Sequence, residues 1–132
     1  MRKLFVMAAL ALAAACGDST SAASVSGTYN LQTVNGSVLP YVFQASNPKI
    51  EIISEQMVLN SNGTFTITDV ERTTPTGGSP SNATFSETGT WSLSGNTITV
   101  HFTSDNSTSV AQVSGNTLTV AESGFTLVFL KQ

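Results

Sequence analysis

A seven-residue pattern occurs twice in the second half of the chain, twenty residues apart. Residues 94–100 read Ser-Gly-Asn-Thr-Ile-Thr-Val, and residues 114–120 repeat them with Leu in place of Ile. Gly-Asn pairs suit two-residue hairpin turns, whose central residues need positive φ. Strict alternation of polar and apolar residues is the pattern of a strand with one buried face. The repeat therefore predicts consecutive β-hairpins.

The rest of the chain continues this pattern, with a predicted bulge near Ile52–Ile53 and long loops over residues 37–48 and 74–82. The hairpins follow one another without the long crossovers of a Greek key, and closing the sheet would remove exposed strand edges. We predict an all-β fold, an eight-stranded antiparallel up-and-down β-barrel, with a β-sandwich as the alternative. The predicted strands cover residues 27–34, 49–60, 64–73, 83–93, 96–103, 108–113, 116–122 and 125–131.

The two faces of the predicted strands differ in composition. Apolar residues form one face and Ser and Thr the other, as in Phe85–Leu93, where Phe, Glu, Gly, Trp and Leu alternate with Ser and Thr. An apolar interior beneath a polar exterior is the reverse of a porin. The pattern predicts a barrel with an apolar core.

The first fifteen residues have the composition of an export signal. Arg2 and Lys3 precede an apolar run over residues 4–12, and the small residues 13–15 lead to Cys16. This order is that of a secretory signal peptide, and the apolar run is too short for a membrane-spanning helix. We predict cleavage after residue 15. Cys16 is the single cysteine, so no disulfide can form within the chain.

Residues 12–16, Leu-Ala-Ala-Ala-Cys, resemble a bacterial lipobox. The resemblance implies a lipoprotein, anchored to a membrane by diacylglycerol on the Cys16 thiol. Ala13 and Ala15 would also serve ordinary signal peptidase, which would leave Cys16 unmodified. Gly17 rather than Asp follows the cysteine, which favours the outer over the inner membrane, on its periplasmic or surface face. Residues 16–25 are predicted to be the lipidated cysteine and a flexible tether, and residues 26–132 the barrel domain.

The net charge and the residue types limit the classes of function that the chain could have. Loss of residues 1–15 leaves three bases against eight acids, 3 − 8 = −5, which argues against nucleic acid as a partner. The single His101 lies on the polar outer face by parity, and no serine elbow, zinc spacing or phosphate loop is present. We predict a monomer that is not an enzyme, with no catalytic residues, no metal site and no cofactor.

Two short motifs resemble those of lipocalins. Gly27-Thr28-Tyr29 stands where lipocalins have Gly-x-Trp at the start of the first strand, and Gly89-Thr90-Trp91 repeats the pattern in the fourth. Long loops after the first and third strands, with tight turns after the second and fourth, also fit. The chain is similar to small bacterial lipoproteins with a lipocalin-like (calycin) barrel. That resemblance implies a barrel that binds a small molecule without catalysis.

The acidic residues fall toward the end of the barrel that carries the long loops. Pairing Leu59 with Phe65 would place Glu55 opposite Asp69, and pairing Phe65 with Trp91 would place Asp69 opposite Glu87. Three neighbouring carboxylates repel one another, so they must be hydrated, have raised pKa values or meet a cation. They could admit a cationic or polar-headed ligand or a hard cation such as Ca²⁺, or they could form a solvated acidic rim.

The sequence also leaves two possibilities for the interior of the barrel. An eight-stranded barrel is just wide enough to be filled by side chains or to hold one small ligand, and the many large apolar residues favour a packed core. Any pocket should be small, near the mouth and covered by Tyr41 and Phe43 of the 37–48 loop. Two functions remain open: binding of a small apolar or amphipathic ligand, or docking to another envelope protein as an inhibitor or assembly accessory. The candidate ligand-binding residues are Tyr41, Phe43, Glu55, Asp69, Glu87 and Trp91.

Overall fold

The computed structural model describes residues 20–132, so the predicted signal peptide and Cys16 lie outside the described residues. One short helix, α1 (Ala22–Val25), precedes the strands. The strands are β1 (Gly27–Val34), β2 (Ser37–Val38), β3 (Tyr41–Gln44), β4 (Lys49–Leu59), β5 (Thr64–Thr74), β6 (Ser81–Ser94), β7 (Thr97–Phe102), β8 (Thr108–Ser114), β9 (Thr117–Glu122) and β10 (Phe125–Lys131).

The sheet closes on itself through β1. This strand pairs with β10 on one side and, through Gly27–Asn30, with β4 on the other, while β4 to β10 pair each with the next. Every pairing is antiparallel, so β1 and β4–β10 form the predicted eight-stranded up-and-down barrel. The predicted 37–48 loop holds the two short strands, with β2 added to β1 and β3 added to β4.

The register of β4 and β5 follows the sequence prediction. Leu59 lies opposite Phe65 and Glu55 opposite Asp69, and the pairing shifts by one residue between Ile52 and Ser54. This shift is a β-bulge, in which an extra residue is accommodated on one strand. Past the bulge, Glu55, Met57 and Leu59 alternate onto the inner face of the barrel.

The predicted register of β5 and β6 is wrong by two residues. Phe65 lies opposite Gly89 rather than Trp91, which places Glu87 opposite Ile67 rather than Asp69. At Gly89 the strands approach so closely that a Cβ atom would lie 1.8 Å from the His101 carbonyl oxygen and 2.7 Å from the Phe65 ring. Trp91 lies beyond the start of β5, where its backbone amide donates to the Gly63 carbonyl at 2.8 Å. A shift of two residues preserves parity, so Glu87 still faces inward.

The core occupies the end of the barrel that carries the tight turns 60–63, 94–97 and 114–117, here called the closed end. The opposite end, with the 35–48 segment and the 75–80 loop, is called the mouth. The largest side chains buried almost completely are Tyr29, Phe65, Phe129, Leu59, Ile98 and Leu118.

Part of the predicted flexible tether is ordered. Ser21 caps α1 in a reciprocal capping box with Ser24, and Val25 is 1% exposed within the core. The Tyr29 hydroxyl donates to the Val25 carbonyl at 2.6 Å, and Lys131 Nζ donates to the Ser24 carbonyl at 2.7 Å. These contacts attach α1 to the closed end. Among residues 20–132, no helix has the length and hydropathy needed to cross a membrane.

Candidate ligand-binding cavity

A cavity of about 260 Å³ lies inside the barrel on the mouth side of the core. The interior is therefore not filled by side chains, although the number of large apolar residues favoured a packed core. Its floor is apolar and buried, and its upper wall includes Phe85 and Val110, which are about half exposed. The residues of the floor are Met57, Val100, Ala111, Val120 and Phe129.

Above this floor the cavity wall carries four carboxyl groups and one hydroxyl. Each lies two positions closer to the mouth than an inward-facing residue of the same strand, as Glu55 does above Met57 and Glu122 above Val120. Period-two alternation of five different strands produces this arrangement. We call the resulting ring the acidic tier, and it consists of Glu55, Asp69, Glu87, Ser109 and Glu122.

Burial changes the titration of the two inner members of the acidic tier. Glu55 has its pKa raised to about 7, first by burial and then by the charge of Asp69 opposite. The pKa of Asp69 is raised to about 6, first by burial and then by the neighbouring Glu71. Removal from water and a nearby like charge both disfavour the ionised carboxylate. The wall thus contains carboxyl groups that are poorly compensated by the protein.

Hydrogen bonds orient the outer members of the tier. Ser109 Oγ donates to Glu122 Oε2 at 2.8 Å, and Ser104 Oγ approaches Glu87 Oε1 at 3.4 Å. Both glutamates are exposed at the mouth. Asp69 Oδ1, in contrast, is shielded from solvent and has no hydrogen-bond partner within the described structure. Buried polar atoms are almost always paired, so this oxygen is an unsatisfied acceptor.

The basic residues of the described chain lie elsewhere. Lys49 Nζ and Arg72 Nε contact the two oxygens of Glu51 at 2.9 and 2.8 Å, and Lys131 is bonded to α1. Arg72 is therefore paired with Glu51, which does not line the cavity. Within residues 20–132, no lysine or arginine lines the cavity beside the acidic tier.

The structure brings together three of the predicted site residues. Glu55, Asp69 and Glu87 line the cavity, whereas Tyr41, Phe43 and Trp91 do not. Tyr41 and Phe43 pack instead against Phe125, with ring centroids 6.4 and 5.4 Å apart, because pairing of β3 with β4 holds them beside the barrel wall. Trp91 lies at the closed end, where its Nε1 donates to the Asn60 carbonyl at 2.9 Å.

Glu122 and Ser109 were missed as site residues. Glu122 continues the inward alternation of Leu118 and Val120, so parity alone could have placed it inside. Ser109 lies in a strand whose weak alternation gives little information before the register with β7 is known.

The side chains that could ligate a metal ion are dispersed in the described part of the chain. Among residues 20–132, no three His, Cys, Asp or Glu side chains come close enough to hold a metal ion together. His101 is exposed on the outer face, as its parity predicts. The carboxyl groups therefore surround the cavity rather than converge on one point.

Comparison with known proteins identifies the type of domain. A family model described as a lipocalin-like domain matches residues 25–120, which is more than half of the chain. An uncharacterized protein from Bacteroides eggerthii has a crystal structure that is similar at 13% identity, with a TM-score of 0.43. The match covers 81% of this chain and 98% of that one. No curated protein matches the sequence.

Proposed function

This chain belongs to the lipocalin-like family, and from that premise we propose that it is a non-catalytic protein that binds a small apolar or amphipathic molecule in its cavity. A lipocalin-like barrel is a ligand-binding fold, and members of the family are generally binding proteins rather than enzymes. The cavity is the observation that carries the proposal. Its apolar floor offers burial to a hydrocarbon chain or ring, and its polar wall faces the mouth.

The volume indicates how large a group the cavity can enclose. At roughly 30 Å³ for each water-sized group, a cavity of about 260 Å³ holds about eight or nine non-hydrogen atoms. This is near the lower limit for ligand pockets and fits a barrel of eight strands. Octanol is a neutral probe of suitable size.

Filling the cavity tests the proposal. Ala111 is buried on the floor, so Ala111→Phe should remove the binding space, while Ala121→Phe makes the same change at an exposed position of β9. Isothermal titration calorimetry should show saturable binding of octanol to wild type and to Ala121→Phe, and none to Ala111→Phe. Circular dichroism checks that both variants fold. Equal binding by a folded Ala111→Phe would place the ligand outside the cavity and contradict the proposal.

We further propose that the protein is an envelope lipoprotein, anchored at the outer membrane through Cys16. The signal-like residues 1–15 and the lipobox-like residues 12–16 support this proposal. Thr20 Oγ1 donates to Asn96 Oδ1 at 2.5 Å in a closed-end turn, so an anchor four residues earlier would leave the mouth directed away from the membrane. Labelling with a radioactive fatty acid should mark wild type and not Cys16→Ser.

An interaction function is the second candidate, favoured by exposed apolar side chains on β2 and β3. Val38 is 73% exposed and Phe43 is 53% exposed. Exposed apolar patches mark contact sites for other proteins. Native mass spectrometry of protein purified from its host separates the candidates. A small-molecule adduct lost in Ala111→Phe supports cavity binding, whereas a bound polypeptide lost in Phe43→Ser supports docking.

A further inference from the structure

We propose that the ligand is a small organic cation, an ammonium group on a short hydrocarbon chain or ring, with its nitrogen in the acidic tier and its apolar part on the cavity floor. This inference rests on the proposed binding function and specifies the ligand class. It follows from the position of the carboxyl groups inside an otherwise apolar cavity.

The first step concerns charge. Four carboxyl groups line the cavity, and the lysines and arginines of residues 20–132 do not. Lys49 and Arg72 are held by Glu51, and Lys131 by the Ser24 carbonyl. Like charges on neighbouring strands destabilise one another. A cationic ligand would relieve this repulsion, which the described protein does not neutralise itself.

The second step concerns hydrogen bonding. Asp69 Oδ1 is inaccessible to solvent and without a donor, although a carboxylate can accept several hydrogen bonds. An unsatisfied buried acceptor carries a desolvation penalty. An ammonium group carries up to three N–H donors, so one nitrogen can donate at the same time to accessible oxygens of two cavity-lining carboxyl groups, such as Glu55 and Asp69, which lie opposite each other.

The third step separates an organic cation from a metal ion. Calcium requires six to eight oxygen ligands converging within about 2.3–2.6 Å. In the described residues, no three His, Cys, Asp or Glu side chains are grouped so that they could hold a metal ion. The carboxyl groups instead surround a space whose floor is hydrocarbon. Such a floor stabilises an apolar body and would contribute nothing to a bare metal ion.

Anionic and neutral head groups fit the acidic tier less well than a cation does. An anionic head group would face the repulsion of the acidic tier, and a neutral hydroxyl would leave most of that tier uncompensated. Charge-assisted hydrogen bonds are roughly twice as strong as neutral ones. The tier therefore selects for positive charge among molecules of the same length.

Three probes of one length and different charge test this selection. Octylamine, octanol and octanoate each contain a linear row of eight carbon atoms and are positive, neutral and negative near neutral pH. Calorimetric titration should give octylamine an affinity at least about tenfold above octanol, the effect of one charge-assisted hydrogen bond, and octanoate the weakest affinity of the three.

A matched pair of variants tests whether the preference for octylamine arises from a carboxylate inside the cavity. Asp69→Asn should weaken octylamine binding by about tenfold more than it weakens octanol binding, because it removes a charge from the cavity at nearly constant shape. Asp105→Asn removes the same charge from an exposed turn, where Asp105 accepts from the Ser107 amide at 2.9 Å. Octylamine binding should be unchanged in this control.

The outcomes distinguish the two proposals. If octanol binds in the cavity as tightly as octylamine, the cation inference is overturned and the binding function stands. If none of the three probes binds wild type, both are overturned. If Asp105→Asn weakens octylamine as much as Asp69→Asn does, the preference reflects overall charge and the inference is overturned.

Discussion

Two glutamates of β4, four residues apart, show how position decides the behaviour of one residue type. Glu51 is buried against Arg72 and Lys49, and hydrogen bonds from Arg72 first and Lys49 second lower its pKa to about 2. Glu55 faces the cavity without a cation, and burial raises its pKa to about 7. One carboxyl is thus satisfied by the protein, and the other is available to a ligand.

Glu55→Gln should remove the loss of stability that ionisation of Glu55 causes as the pH rises. Between roughly pH 4.5 and pH 7 the folded state holds the Glu55 proton that the unfolded state releases, so ionisation destabilises the fold as the pH rises. The free energy of unfolding of the variant should equal that of wild type near about pH 4. Near about pH 8 it should be higher by on the order of 2 kcal/mol. Urea unfolding at both pH values measures the difference.

Glu51→Gln is the control on the same strand, with the opposite sign. Because the pKa of Glu51 is lowered, its ionised form stabilises the fold at pH values above the ordinary pKa of a glutamate. This contribution is lost as the pH falls toward about 2. This variant should therefore be less stable than wild type at neutral pH. If Glu55→Gln were also less stable than wild type near about pH 8, Glu55 would be stabilised by its surroundings, contrary to our account.

At the level of elements, alternation in the sequence predicted the main strands well. The predicted first strand coincides with β1, and the predicted bulge lies where β4 changes register. Both follow from local chemistry, because parity assigns each side chain to a face without knowledge of its partner. The sequence also predicted Glu55, Asp69 and Glu87 as neighbouring carboxylates near the mouth, and alternation placed Glu87 on the apolar face of its strand.

Features that depend on distant contacts could not be predicted. The register of β5 and β6 depends on Gly89 meeting the His101 carbonyl, which belongs to a third strand. Tyr41 and Phe43 are near the mouth, but pairing of β3 with β4 turns them to Phe125. The cavity itself is the space left between packed side chains, so no single residue specifies it.

Helix α1 should contribute to stability through Val25. Its side chain is 1% exposed, so Val25→Ala should lower the free energy of unfolding by about 2 kcal/mol, the value of two buried methylene-sized groups with their cavity. Val38→Ala, at a 73% exposed position, should change it by less than about 0.5 kcal/mol. Urea denaturation compares the two. Equal, negligible effects would show that residues 22–25 behave as the tether that the sequence predicted.

The whole molecule divides into a packed half and a half that contains the cavity. The closed end holds the largest buried side chains, α1 and the tight turns, including both copies of the repeated Gly-Asn motif. The mouth holds the acidic tier above the cavity. Charge is thus concentrated where the barrel is open, and packing where it is closed.

Backbone amide NMR during titration with octylamine tests the central claim, that the cavity between core and mouth is the binding site. We predict saturable shifts around the acidic tier and floor, at Glu55, Asp69, Ala111 and Glu122, with little change at the closed-end turns 94–97 and 114–117. Shifts confined to β2, β3 and the outer face, with the floor unchanged, would contradict it.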